Sequence, residues 1–557
     1  LPAALRSIFR PSLQSPLTLA WLTALWLAAL CNWPLWQRMA ALPELDNARG
    51  WLFIALFIGM VTGLFGALLS LLAWRAVVKP VLALCLLSAA ALAHFIGSYG
   101  IVVDPTMVTN IVQTDTREAA DLLSLRLAAS LALLAGVPIA WLWRRRVEPQ
   151  RWPRRLALNL AGFVVGIAAM VAFALIGFAD LASTMRNHKS LRYMISPVNA
   201  FYSGITVAVR AGAAPKGPPE VVAADAKLAA RPDGARPPLV LLVVGETARS
   251  ANFSLNGYTR PTNPELAQLP VASFRKVTSC GTSTAASLPC MFSHLGREKF
   301  GDLKHRQESL LDALQRAGLA VLWLDNQAGC KGVCERVPNG STVALPPGAE
   351  PLPAGLCDGE ECLDAALLHG LDQRLAALDP ARVAKGVVLV MHQMGSHGPA
   401  YFKRSPPDRK PFEPECKSNA LQQCARAEVV NGYDNSIAYT DHILAGAIGW
   451  LRTQQPRFDT TLLYVSDHGE SLGENNLYLH GMPYGFAPRE QIEVPLIVWI
   501  GAQDGRGPVA QCLAGRLDEP LSHDHLFHTM LGLAGVEASV YRRELDFVAP
   551  CRAPTQR

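Results

Sequence analysis

Charge is scarce in this chain. Only 17% of its 557 residues are Asp, Glu, Lys or Arg, against 50% apolar residues, and a mean hydropathy of +0.19 excludes a single soluble globular domain. Length allows two to four domains, at least one of them solvated by lipid. The 51 basic and 45 acidic residues leave a net charge of only +6. There is no long Lys/Arg tract with interleaved aromatics, so nothing asks for nucleic acid as a partner. Closely spaced CxxC pairs are also missing, which argues against a four-thiolate zinc knuckle.

Cysteine is nearly absent from the first half, where only Cys31 and Cys85 occur, both inside apolar runs. The other ten form four close pairs, Cys280/Cys290, Cys330/Cys334, Cys357/Cys362 and Cys416/Cys424, and a wider fifth, Cys512/Cys551. An even set of this kind reads as disulfides in an oxidising compartment, although spacing proves no connectivity.

Five apolar runs are long enough to span a bilayer as helices: 17–35, 51–74, 78–96, 122–143 and 156–178. The first can also serve as an uncleaved anchor and insertion signal. The basic stretches at Arg6–Arg10, Arg75/Lys79 and Arg144–Arg155 fall on one side of five spans, which makes that side cytoplasmic. The 98–121 loop and everything after residue 180 then face outward, in agreement with the disulfide reading. Within that loop Asn110, Thr114 and Glu118 would share a helix face; a plain solvated helix start explains the spacing as well. The expected division is a five-helix transmembrane domain (1–180), an amphipathic bridging segment and Ala/Pro/Gly-rich linker (181–236), and an outer domain (237–557).

In the outer domain, short apolar runs alternate with polar helical stretches, predicting an α/β fold with a mostly parallel central sheet and ligands beyond the carboxyl ends of its strands. Four runs end in Glu246, Asp325, His392 and the pair Asp467/His468. In "VSDHGES" the adjacent Asp and His can reach one ion if the backbone turns, and Gly469 is expected to supply that turn. With Glu246 they make three oxygen and nitrogen ligands suited to zinc; the alternative is that Asp467 caps a turn while His468 packs. A hydroxyl from "SCGTSTAASLPCMFS" could complete the set and act as a nucleophile. Spacing does not choose among Thr282, Ser283, Thr284 and Ser287, and a Ser/Thr-rich capping loop accounts for the same residues. His523, His525 and His528 in "LSHDHLFHTM" could mimic a metal motif, but surface or domain packing is the preferred reading.

Several long blocks occur together and in order: "GETAR" leading to "GYTRPTNP", "TSCGTSTAASLPCMFS", "DNQAGCKGVC", "HQMGSHGPAY", and "SDHGESLGE" followed by "LHGMPY". Over essentially its whole length the chain resembles the lipid A phosphoethanolamine transferases, membrane-bound members of the alkaline phosphatase/sulfatase superfamily that include those behind polymyxin resistance. The resemblance implies a monomeric enzyme in the inner membrane of a Gram-negative bacterium with its catalytic domain in the periplasm. It implies transfer of phosphoethanolamine from phosphatidylethanolamine to a phosphate of lipid A, through a phosphoethanolamine-threonine intermediate on zinc-bound Thr284. Glu246, Thr284, Asp467 and His468 match the zinc ligands. His392 and His480 match residues that bind the incoming group or a second zinc, while His397 matches a position lining the site. Asn110, Thr114 and Glu118 match a loop that engages the donor lipid, and Lys331 a lysine near the phosphate or acceptor. The prolonged, proline-rich stretch 338–355 departs from the pattern where an acceptor-contacting rim would lie.

A formylglycine sulfatase would need Cys/Ser-x-Pro-x-Arg, which the terminal "CRAPTQR" does not supply. The rival enzyme reading is a phosphoglycerol transferase of the same superfamily, and the rival of another class is a non-catalytic membrane sensor that binds lipid.

Overall fold

The apolar runs of the amino-terminal third are helical in the computed structural model, which describes residues 13–114, 119–120, 122–213, 217–303, 305–359, 361–501 and 507–552. By its contacts the chain forms two units, Leu1–Val108 with Leu123–Ala208, and Thr109–Leu122 with Val209–Arg557. In the first, Ala48–Leu71, Val78–Tyr99, Leu125–Arg144 and Trp152–Ile176 are long and apolar enough to cross a bilayer; the bent pair Pro16–Cys31 and Trp33–Ala40 makes a fifth span if it counts as one. The 45° bend has a local cause. Pro34 enters the second helix without an N–H to donate, and Asn32 Nδ2 donates to the carbonyls of Leu27 (2.8 Å) and Ser196 (2.7 Å) instead. The helices Ala48–Leu71 and Trp152–Ile176 approach through glycines: a Cβ on Gly63 would stand 2.8 Å from the Gly166 carbonyl, and one on Gly166 2.6 Å from the Ala67 nitrogen. Small residues at four-residue spacing permit this close packing in lipid.

The second unit is built on seven strands: β1 (Pro238–Gly245), β2 (Val271–Phe274), β3 (Ala320–Asp325), β4 (Asn339–Ser341), β5 (Val387–His392), β6 (Asp459–Ser466) and β7 (Leu496–Ile500). Their order in the sheet is β2-β7-β6-β1-β5-β3-β4. The five strands from β6 to β4 pair in parallel, whereas β7 and β2 add an antiparallel edge. Nearly continuous apolar sequence in β1 and β5, and the apolar run Leu462–Val465 within β6, follow from burial on both faces. Register decides what shares an edge: His392 stands opposite Val244 and Asp325, and Ser466 opposite Gly245. The residues that follow β1 and β6, and the last residues of β3 and β5, therefore emerge at the same carboxyl end of the sheet.

The segment read as a linker is tied down within this unit. Val222 and Ala223 are buried, the Val222 carbonyl accepts from Arg316, and Lys227–Leu228 pairs with Val536–Glu537. Five disulfides join Cys280–Cys290, Cys330–Cys334, Cys357–Cys362, Cys416–Cys424 and Cys512–Cys551, and Cys31 and Cys85 remain free thiols.

Candidate metal centre and nucleophile

Glu246, Asp467 and His468 each offer a ligand atom, all within 4.8 Å of one another, and all three are fully buried. His468 Nε2 lies 3.4 Å from Glu246 Oε1 and 3.3 Å from Asp467 Oδ2. Its Nδ1 faces the Gly469 carbonyl at 2.9 Å, which fixes one proton on Nδ1 and makes Nε2, facing the two carboxylates, the nitrogen available as a ligand. Asp467 Oδ1 accepts from the backbone N–H of Thr247 (3.1 Å) and His468 (2.7 Å), while its buried Oδ2 has no hydrogen-bond partner. Two carboxylates, one of them with an orphaned buried oxygen, and an imidazole nitrogen suit a divalent cation, which would relieve the cost of burying like charges.

Thr284 opens the helix Thr284–Met291, and its Oγ1 reaches Glu246 Oε2 at 3.1 Å, Oε1 at 3.2 Å and His468 Nε2 at 3.4 Å. Among the four hydroxyls that spacing left open, Thr284 is the one on this cluster. Thr282 Oγ1 donates to the Met482 carbonyl, Ser287 Oγ to the Asp467 carbonyl, and Ser283 Oγ is buried without a partner.

Two further imidazoles border the cluster. His392 Nδ1 is 2.9 Å from Asp325 Oδ1, and its buried, unpartnered Nε2 stands 4.0 Å from Glu246 Oε2. His480 Nδ1 is 3.2 Å from Glu470 Oε2, and its ring centre is 4.4 Å from that of His468 and 5.7 Å from that of His397. In each dyad the carboxylate accepts the hydrogen bond of Nδ1–H, which orients the ring and leaves Nε2 outside the pair.

Electrostatics follows from this crowding. Burial alone would raise Glu246, but the hydrogen bond and charge of His468, joined by His397 and His392, hold it well below the usual carboxylate range. Burial, then the Glu246 charge, push Asp467 up. Burial opposes protonation of His468, yet Asp467 and Glu246 push it up to about 10. His392 is raised too, Asp325 outweighing burial. Without a cation, an imidazole proton must balance the buried carboxylates; metal binding would displace it.

Local structure is unusual around Glu246. Thr247 has φ +60°, a left-handed value uncommon for a β-branched residue, and is held by Asp467 at its N–H and by the Tyr433 hydroxyl at its carbonyl. Gly469 is not left-handed. It is glycine for space, since a Cβ there would stand 2.1 Å from the Glu490 carbonyl oxygen. The "GYTRPTNP" block serves the loop after β1: Tyr258 (2.9 Å), Arg260 (2.7 Å) and Asn252 (2.5 Å) converge on Asp434, within the long helix Arg426–Gln454.

Lys331 lies outside the cluster, with Nζ donating to the carbonyls of Ala328 (3.0 Å) and Gln113 (3.2 Å). Asn110 sits in the short helix Pro105–Gln113, and Thr114 Oγ1 donates to its carbonyl at 2.8 Å; Glu118 falls outside the described residues. Sequence reading overlooked Glu470, despite its place in "SDHGES". It also took the histidines of "LSHDHLFHTM" as packing, and His523 is indeed buried, but directly behind the cluster. Burial pulls it down to about 4.

A sheet with nucleophile and metal-ligand candidates at the carboxyl end of its parallel strands defines a sulfatase-like fold, and residues 238–536 match the sulfatase family model. Residues 60–211 match the model described as phosphoethanolamine transferase EptA/EptB. The chain is 38% identical to phosphoethanolamine transferase EptA of Salmonella typhimurium, over 96% of this chain and 97% of that protein. It is 38% identical, with the same coverage, to phosphatidylethanolamine transferase Mcr-1 of Escherichia coli. The solved structure of the integral membrane lipooligosaccharide phosphoethanolamine transferase A of Neisseria meningitidis superposes with a TM-score of 0.90 at 34% identity, covering 98% of this chain and 100% of that one. The chain belongs to the phosphoethanolamine transferase family, as an enzyme with a membrane-helix domain and a sulfatase-like catalytic domain.

Proposed function

We propose that this enzyme moves phosphoethanolamine from phosphatidylethanolamine to a phosphate of lipid A in two displacements at Thr284, acting as a monomer on the periplasmic side of the Gram-negative inner membrane. The observation that carries the reading is the placement of one hydroxyl, Thr284 Oγ1, against Glu246 and His468 at the carboxyl end of the sheet. Glu246, Asp467, His468 and Thr284 would hold zinc. When bound, that ion supplies Lewis acidity, lowering a hydroxyl's pKa and offsetting charge on phosphoryl oxygens. Glu246 accepts the hydrogen bond of Thr284 and orients its oxygen toward phosphorus. Thr284 attacks, the bond to the glycerol oxygen breaks, and diacylglycerol leaves with a proton. A lipid A phosphate oxygen then attacks the threonine phosphodiester, and Thr284 recovers its proton as the ester bond breaks. His392 and His480, each oriented by a carboxylate, would hold the incoming group or hand on these protons at Nε2. Asn110, Thr114 and Glu118 would engage the donor lipid, Lys331 would lie near the phosphate or acceptor, and His397 would line the site. The helices keep enzyme and donor in one leaflet, so the donor's effective concentration is high.

The test is a product analysis. Full-length enzyme in lipid with phosphatidylethanolamine and lipid A should yield lipid A heavier by one phosphoethanolamine and one diacylglycerol per transfer, and Glu246→Gln should suppress both. Transfer from phosphatidylglycerol in place of phosphatidylethanolamine would favour the phosphoglycerol reading, and no transfer from either lipid would favour the non-catalytic sensor.

A further inference from the structure

His523 lies beyond the four ligand candidates and touches two of the three chain segments that carry them, those of Thr284 and of Asp467–His468. Its Nδ1 is 3.0 Å from the backbone nitrogen of Cys280, four residues before Thr284, and 3.2 Å from Ser287 Oγ, three residues after it. Its Nε2 is 2.9 Å from the carbonyl of Ser466, the residue before Asp467. A backbone N–H can only donate and a carbonyl can only accept, so the ring is neutral with its proton on Nε2. Ser287 ties the two segments directly by donating its single hydroxyl proton to the Asp467 carbonyl at 2.5 Å, so its approach to Nδ1 is a packing contact and not a hydrogen bond. The imidazole is itself held from behind. Leu521–Ser522 pairs in parallel with Val277–Thr278, the strand leading into Cys280, and the buried helix Leu526–Leu533 follows.

We propose that His523 is a positioning residue for the transfer reaction: as a neutral donor and acceptor it locks the Thr284 segment to the Asp467–His468 segment and sets the distance between nucleophile and metal ligands. This rests on the reading of Thr284 as the nucleophile. The two segments are 183 residues apart in the chain, counting Thr284 to Asp467, and belong to different elements. A small displacement of one against the other moves Thr284 Oγ1 off His468, and misplacement near 1 Å can cost about 100-fold in rate.

The distinguishing variants are His523→Phe, which keeps the ring volume but neither hydrogen bond, and His523→Gln, whose amide carries one acceptor and one donor at similar separation. Full-length proteins would be compared in detergent, well below their unfolding temperatures, for zinc retention against a graded chelator and for kcat and KM with phosphatidylethanolamine. Expected for H523F is zinc retention weakened by about tenfold and kcat lowered by about 10- to 100-fold with KM unchanged. H523Q should stay within about threefold of the parent in both. Wild-type zinc retention and kcat in a folded H523F would overturn the proposal. So would a folded H523Q as impaired as H523F, or a lowered unfolding temperature as the only change. The chelator measurement judges His523 independently of whether Thr284 acquires a covalent group, so the two readings fail separately.

Discussion

At Gly395 a methyl group has no room: a Cβ would stand 2.6 Å from the Glu246 carbonyl oxygen, and φ is +54°. Gly395→Ala should therefore cost about 2–3 kcal/mol and displace Glu246, which thermal unfolding and zinc retention would register together; unchanged values in both would contradict the packing described. His523 makes a pH-dependent contribution. Its imidazole falls from an ordinary 6.5 to about 4 on folding, burial being the main cause, so the unfolded chain binds the extra proton between those values. That stability is complete above pH 6.5 and is lost as pH falls through the folded value near 4. In H523Q the acid slope of stability should be shallower by up to one proton across this window, and an unaltered slope would contradict the assignment. Glu246, Asp325, His392, Asp467 and His468 were legible because each polar group ends an apolar run. The left-handed Thr247 and the seat of His523 were not, since they depend on contacts with residues 220 and 243 positions away.

At the scale of elements, the buried carboxylate of Asp434 anchors three side chains of the loop after β1. Asp434→Ala would leave Arg260, Tyr258 and Asn252 without their acceptor; a loss of about 2–3 kcal/mol is expected, allowing for the partial exposure of Arg260. Urea titration of the full-length variant checks it, and a change under about 0.5 kcal/mol, typical of a surface site, would count against this anchoring role. The parallel strands were legible as apolar runs bounded by polar stretches. The antiparallel direction of β7 was not, because burial makes it as uniformly apolar as the parallel strands and apolarity carries no direction. The close approach of two membrane helices through Gly63 and Gly166 also escaped the length-and-hydropathy reading, which counts apolar residues and not their sizes.

For the molecule as a whole, the proposed metal and the proposed threonine intermediate are tested separately. Chelation should lower the unfolding temperature of the full chain and added zinc should restore it, a binding contribution of about 3–4 kcal/mol at 100 to 1,000 times the dissociation constant; a chelator-insensitive transition would argue against a metal at Glu246, Asp467 and His468. Overall organisation was legible from composition: membrane runs first, cysteines concentrated after them. The association of Thr109–Leu122 with the catalytic unit was not, because it rests on spatial contacts such as that between Lys331 and Gln113, which are remote in sequence. The most direct measurement is the intact mass of the full-length enzyme and its Thr284→Ala variant after incubation with phosphatidylethanolamine alone, followed by peptide mapping. A gain of one phosphoethanolamine on Thr284 that is absent from T284A is the expected result. An adduct on another residue, or none on zinc-loaded enzyme that still modifies lipid A, would contradict the threonine intermediate.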